Sequence, residues 1–214
     1  GLVRIQPSDR HKRGLLVSLS AEEFAVGDTV AYIPNKGIEG VFEAQNAPAI
    51  VKEVEGKKAF CFEGKQVFLS SFPLPATLAD NAPYTLEAWI LNPELSENEC
   101  IADFTSSHDE LEKIMLVNGT EPRCGMLNHY GWYEDVGYKD AAALAGKWQH
   151  IYVEFDGRTE KVYINDQLIS SKDIQILVKP IQFVTLGLNA ENAWPFTGYL
   201  HSLKLWDEWI PFEK

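Results

Sequence analysis

The strongest constraint on this fold is a period of two, written repeatedly in the last third of the chain. In Trp148-Gln149-His150-Ile151-Tyr152-Val153-Glu154-Phe155, the residues Ile151, Val153 and Phe155 fall on one side and His150, Tyr152 and Glu154 on the other. Asp156-Gly157-Arg158-Thr159 turns the chain into Lys161-Val162-Tyr163-Ile164. Asn165-Asp166 turns it again, since both residues tolerate positive φ. A further alternating stretch runs from Phe196 to Trp206. Successive side chains of a strand point to opposite faces, so this pattern belongs to half-buried strands. In the last stretch Leu200 and Leu203 stand three apart while Leu203 and Leu205 alternate, and a β-bulge at His201-Ser202 reconciles the two spacings.

The same pattern upstream predicts strands at residues 15–19, 41–44, 49–54, 59–62, 67–69, 84–91, 100–104, 113–117, 123–130 and 182–188. In the stretch at 84–91, Tyr84, Leu86, Ala88 and Ile90 share one face, with Thr85, Glu87 and Trp89 on the other. The segment between Leu19 and Gly40 reads as loop. Helical signals are confined to a turn at 109–113 and one turn at 139–145. Many short strands, with turn residues every eight to twelve positions and no dividing linker, specify an all-β sandwich. One domain over 14–214 is expected, behind a polar lead-in at 1–13.

Charge excludes some partners. The 214 residues carry 31 acidic against 19 basic side chains, a formal charge of -12. Nucleic acid is repelled by that balance. The one basic run, Arg10-His11-Lys12-Arg13, reads as a solvated lead-in. No apolar run has the length of a membrane span, so no membrane insertion is expected. Gly1-Leu2-Val3-Arg4 lacks the pattern of a leader, and Gly1 reads as a cleavage scar, which leaves the compartment open. Of the three cysteines, Cys61 reads as a buried thiol, while Cys100 and Cys124 lie in neighbouring strands and are candidates for a bridge. No CxxC, HExxH, GxSxG or phosphate-binding loop occurs. His11, His108, His129, His150 and His201 show no metal-ligand spacing. Asn118-Gly119-Thr120 fits a glycosylation sequon and is read as a plain turn.

Several pieces in order carry a family resemblance: Gly56 through Phe62 and Gly64; Thr85, Ala88 and Trp89; Trp148, His150, Asp156 and Gly157; Tyr163-Ile164-Asn165-Asp166; and Phe196, Gly198 and Trp206. Together they resemble the laminin-G-like, concanavalin A-like jelly-roll domains, bacterial members included. That resemblance implies two antiparallel sheets, with the first strand lying beside the last. It also implies recognition of glycans or proteins. It admits the calcium ion that some relatives bind, but no set of rim aspartates marks such a site, and His201-Ser202 stands where many relatives carry acids. No cofactor is therefore expected.

Fold alone does not choose between lectin, adhesion module and hydrolase. A glycosidase needs two carboxylates across the scissile bond. Hydrolases of this fold carry them at two-residue spacing on one strand, and no such string occurs. Glu110 and Glu112 lie in a polar turn, and the adjacent Glu134 and Asp135 would face opposite ways. No catalytic residue is assigned. The ligand candidates are Asn128, His129, Tyr130, Trp132, Tyr133 and Asp135, with Trp194 from a second loop. Aromatic faces stack on sugar C–H groups while amide, imidazole and carboxylate groups bond hydroxyls. The competing reading is that these aromatics only cover an open sheet face, and that Trp194 only pins its loop beside Pro195. Trp89, Trp148 and Trp206 are assigned to packing. The expected protein is a non-catalytic, carbohydrate-binding recognition module of a secreted or surface bacterial protein, in an extracellular, cell-surface or periplasmic setting. The alternative is a structural or protein-interaction domain that docks on a catalytic partner in a longer chain, and a glycoside hydrolase is the outlying alternative. Oligomeric state is not legible.

Overall fold

Residues 14–120, 127–130 and 145–213 are described by a computed structural model. The first half of the chain supplies β1 (Leu15–Ser20), β2 (Thr29–Val30), β3 (Tyr32–Pro34), β4 (Val41–Ala44), β5 (Ala49–Val54), β6 (Lys57–Glu63), β7 (Phe68–Leu74) and β8 (Tyr84–Leu91). The second half supplies β9 (Glu99–Asp103), β10 (Met115–Asn118), β11 (Leu127–Asn128), β12 (Gln149–Phe155), β13 (Thr159–Ile164), β14 (Gln167–Asp173), β15 (Gln182–Leu186) and β16 (Thr197–Trp206). Two short 3-10 turns, Ala21–Glu23 and Ala76–Leu78, are the only helical pieces among the described residues.

All pairings are antiparallel. A nine-stranded sheet runs β14-β13-β12-β8-β16-β6-β5-β2, with β1 also on β16, and a seven-stranded sheet runs β11-β10-β9-β15-β7-β4-β3. Register explains the alternation. Leu19 pairs Leu203, Leu203 pairs Ala88, Ala88 pairs Ile151, and Ile151 pairs Ile164. That row of inward apolar side chains spans five strands and meets the inner face of the seven-stranded sheet, where Phe42, Phe68, Val184 and Leu186 are buried. Sliding any strand by one residue would turn its apolar set to water, so burial holds the register. The predicted bulge is present as a register shift between Leu200 and Ser202.

Three expectations need correction. The segment between Leu19 and Gly40 contains β2 and β3, too short to show alternation. β14 was not expected, because its run Gln167–Asp173 is polar and mostly solvent-facing, as suits a sheet edge. Cys100 is a free buried thiol, as is Cys61, so Cys100 makes no bridge; Cys124 lies outside the described residues. So do the lead-in at 1–13 and most of the turn at 139–145, and of the strand expected at 123–130 only Leu127–Asn128 appears as strand among the described residues.

Gly187 opens the loop from β15 to β16 at φ 83, and a Cβ there would strike the Gln66 carbonyl and the Phe62 ring. Gly187→Ala is expected to cost about 1–3 kcal/mol from backbone strain alone, read as a lower urea midpoint.

Candidate functional site

Two outer surfaces carry concentrated chemistry, one on each sheet. On the seven-stranded sheet, β9 and β10 send Ile101 and Leu116 inward and Cys100, Met115 and Val117 outward. Tyr130 and Trp194, half-buried, pack on that outer cluster from two different loops. Both have left-handed backbone, with φ 58 at Tyr130 and φ 60 at Trp194. Bulky residues rarely adopt that conformation, and such strain persists only where surrounding bonds hold it. Those bonds are present. The Asn128 side chain accepts from the Tyr130 N–H at 2.9 Å. The Asn189 Oδ1 accepts from the N–H groups of Glu191 and Ala193. The Cys100 N–H donates to the Trp194 carbonyl at 2.8 Å.

The Tyr130 hydroxyl donates to Glu191 Oε1 at 2.5 Å, and His108 Nδ1 lies 2.6 Å from the same oxygen. The tyrosine hydroxyl and then the imidazole hold the Glu191 carboxyl below its usual range. Burial and the Glu191 charge push the Tyr130 phenol up, so it stays a neutral donor. Beneath the ring sits a buried ion pair, Lys113 Nζ to Asp103 Oδ2 at 2.7 Å, with the ammonium 5.1 Å from the Tyr130 ring centroid. Asp103 also accepts from the Ala190 N–H at 2.9 Å, which ties the Trp194 loop to β9.

On the nine-stranded sheet the outer row reads Tyr163–Tyr152–Glu87–Lys204 across β13, β12, β8 and β16. The chain after β16 returns over this face. Ile210 N–H donates to Thr85 Oγ1, the Tyr152 hydroxyl donates to the Ile210 carbonyl, and the Phe212 N–H donates to Glu154. Phe212 stacks on Tyr163 with ring centroids 4.3 Å apart. Between this segment and the strands lies a groove of about 530 Å³ whose lining includes Glu87, His150, Tyr152, Asp166, Trp209 and Phe212. His150 Nε2 is 2.8 Å from Glu87 Oε2, and its Nδ1 is 3.8 Å from Asp166 Oδ1. Trp89 stacks on the other side of His150 at 4.6 Å.

The ligand residues expected from sequence divide three ways. Tyr130 and Trp194, 64 positions apart, are brought together. Asn128 and His129 are both buried: Asn128 stands opposite Met115 on the outer face and accepts from the Tyr130 N–H, while His129 turns inward toward the Lys113 carbonyl and Glu160. A Leu127–His129 run without exposed positions pulls both polar groups into internal bonds, so they position Tyr130. Trp132, Tyr133 and Asp135 lie outside the described residues. The tryptophans assigned to packing cover the outer sheet face, with Trp148 Nε1 donating to the Val54 carbonyl. Among the described residues no cluster of metal-ligating side chains occurs, and no helix is long and apolar enough to cross a membrane.

Sequence reasoning missed Glu191, His108 and the whole groove. Alternation did put Glu87, His150 and Tyr152 on outward faces. What it lacked was the pairing of β8 with β12 and the return of residues 207–213 over both.

The geometry defines a class: a two-sheet antiparallel jelly roll with polar-aromatic surfaces on its outer faces. Residues 69–210 match the laminin-G-type family described as the concanavalin A-like lectin/glucanases superfamily, and the chain belongs to that superfamily. No curated protein matches the sequence. Among solved structures, domain 4 of AbnA, a GH43 extracellular arabinanase of Geobacillus stearothermophilus in complex with arabinotriose, is similar at TM-score 0.62 and 17% identity, covering 92% of this chain and 94% of that one. A Trypanosoma rangeli sialidase is similar at TM-score 0.59 and 16% identity, with 92% of this chain covering 31% of the enzyme. The receptor binding domain of a botulinum neurotoxin mosaic serotype C/D is similar at TM-score 0.59 and 14% identity, covering 94% and 49%. At these identities the likeness is one of fold.

Proposed function

We propose that this chain is a non-catalytic carbohydrate-recognition module of an extracellular or surface protein, and that it holds its glycan at the rim patch of Tyr130, Trp194 and Glu191, with Trp132, Tyr133 and Asp135 kept from the sequence as further contacts. One observation carries the reading. Two aromatic residues with left-handed backbone pack on one outer cluster, and a carboxylate bonded to Tyr130 and His108 has its direction fixed there. Rigid rings offer stacking faces with little ordering cost, and a directed carboxylate accepts from sugar hydroxyls. The arabinotriose bound to the arabinanase domain and that enzyme's extracellular character support the ligand class and the setting.

Catalysis has little support. In the groove, the imidazole of His150 fills the space between Glu87 and Asp166, where a hydrolase keeps its scissile bond or water. A second reading, docking on a partner domain, is favoured by Tyr32, Leu69 and Phe183, which are exposed on β3, β7 and β15 of the seven-stranded sheet.

Titration calorimetry against neutral plant and host oligosaccharides, arabinotriose included, tests the assignment. Trp194→Ala and Tyr130→Ala are each expected to weaken the binding about tenfold, near 1.4 kcal/mol, with the thermal transition retained. Silence of the whole panel would remove the glycan reading and leave docking. Binding that ignores both substitutions would move the site elsewhere.

A further inference from the structure

We propose that the groove on the outer face of the nine-stranded sheet is a second, independent ligand site, and that it takes a saccharide bearing free amines. The groove is preformed, since its outer wall, residues 208–213, is fixed by bonds to Thr85, Tyr152 and Glu154. Its volume of about 530 Å³ suits one or two sugar rings, within the range of small-molecule sites.

Its charge is one-sided. Glu87, Asp166, Glu208 and Glu213 line it, and no lysine or arginine does so among the described residues. Lys204 stands opposite Glu87 by register, and Lys161 opposite Glu154, yet neither lines the groove. His150 sits between Glu87 and Asp166 and offsets at most one carboxylate when protonated. With four carboxylates and one imidazole along its lining, the groove favours a cationic donor, and an ammonium is the strongest one.

The apolar side of the groove selects the rest of the ligand. Trp209 is 46% exposed, unusual for a ring of its size. With Tyr152 and Phe212 it offers ring faces to C–H groups and to cations. This sheet face already holds one such contact, because the Lys57 ammonium lies over the Trp89 ring at 4.3 Å from its centroid. The Tyr152 hydroxyl is committed to the Ile210 carbonyl, and burial with the Glu87 charge pushes its pKa up, so the phenol adds no further negative charge. A uronic acid would meet only repulsion. An amino sugar matches both the carboxylates and the rings.

The test is calorimetric titration of the intact chain, at low salt, with four probes: a glucosamine trisaccharide with free amines, its N-acetylated counterpart, a galacturonate trisaccharide, and trilysine. The amine trisaccharide is expected to bind at least about tenfold tighter than the N-acetylated one, the size of one added charged hydrogen bond. Asp166→Asn and Trp209→Ala should each weaken it several-fold, while Glu39→Gln, an exposed acid away from the groove, should leave it unchanged. Equal affinity for the free and acetylated amines would overturn the charge assignment. Trilysine binding as tightly would overturn the saccharide. An equal loss from Glu39→Gln would show attraction to the protein's net charge and sink the site. Rim variants report separately on the reading above, so failure of one site is distinguishable from failure of the other.

Discussion

Lys113→Met is expected to lower the unfolding free energy by about 3–5 kcal/mol, read as a shift of the urea midpoint at unchanged slope. Methionine keeps the length and most of the volume of the lysine, so little packing is lost. What is lost is the counter-charge. The side chains of Lys113 and Asp103 are completely buried, with Nζ 2.7 Å from Oδ2, and the ammonium also donates to the Thr105 carbonyl at 2.8 Å. Burial already pushes the Asp103 carboxyl up, opposed first by Lys113 and then by the N–H groups of Ala190 and Thr105. Removing the ammonium leaves burial opposed by those N–H groups alone, so the folded-state pKa rises further. A carboxyl whose folded pKa exceeds its unfolded one binds more protons when folded. Stability of the variant therefore falls as pH rises from the ordinary carboxylate range, near 3.9 in unfolded chains, to the raised folded value. Adding Asp103→Asn should recover most of the loss, because an amide keeps an acceptor for the backbone and carries no charge. A single variant within about 1 kcal/mol of the parent would show that this pair is not coupled as its geometry implies. The stakes reach the rim: Asp103 ties down Ala190, and the same loop carries Glu191 and Trp194.

The sandwich was legible because its cause is local. A row such as Leu19, Leu203, Ala88 and Ile151 writes itself into each strand as a period of two, and each strand can be read without its neighbours. The bulge at His201-Ser202 was legible for the same reason: it interrupts that period visibly. Edge strands were not. β14 buries no face strongly, and β2 has only two residues, so neither leaves a pattern to find. The rim was half legible. Aromatic density pointed to Tyr130, and Trp194 stood out in its loop, but the meeting of the two on Cys100, Met115 and Val117 is tertiary. The burial of Asn128 and His129 was not legible, because composition does not say which polar side chains a fold covers. Thr85 teaches the same lesson from the opposite side. By alternation it faces outward, and it does, yet it is buried because Glu208 and Ile210 return over it and bond its hydroxyl. A surface made by a chain end crossing a distant strand leaves no periodic trace.

Glu160→Ala should produce the other large loss, again about 3–5 kcal/mol, through a buried network that touches no solvent. Glu160 is on β13 but points into the sandwich, where it accepts from the Tyr84 hydroxyl at 2.9 Å and lies 2.9 Å from His129 Nε2. On its other side His129 Nδ1 is 2.6 Å from the Lys113 carbonyl. A carbonyl oxygen only accepts, so Nδ1 carries a proton. The Nε2···carboxylate contact then holds one further proton between imidazole and glutamate. Alanine removes the anion that shares it, along with the acceptor of a phenol that burial and Glu160 together keep protonated. Both groups stay in a dry interior, where a buried donor without its acceptor costs about 1–3 kcal/mol. Glu160→Gln keeps an acceptor and a donor in place and is expected to cost less than half as much. Urea melts of both variants, compared at unchanged slope, distinguish the lost network from simple packing loss. A Glu160→Ala loss within about 1 kcal/mol of the parent would mean that His129 is not held by this carboxylate, and the strand that delivers Asn128 and Tyr130 to the rim would need another anchor.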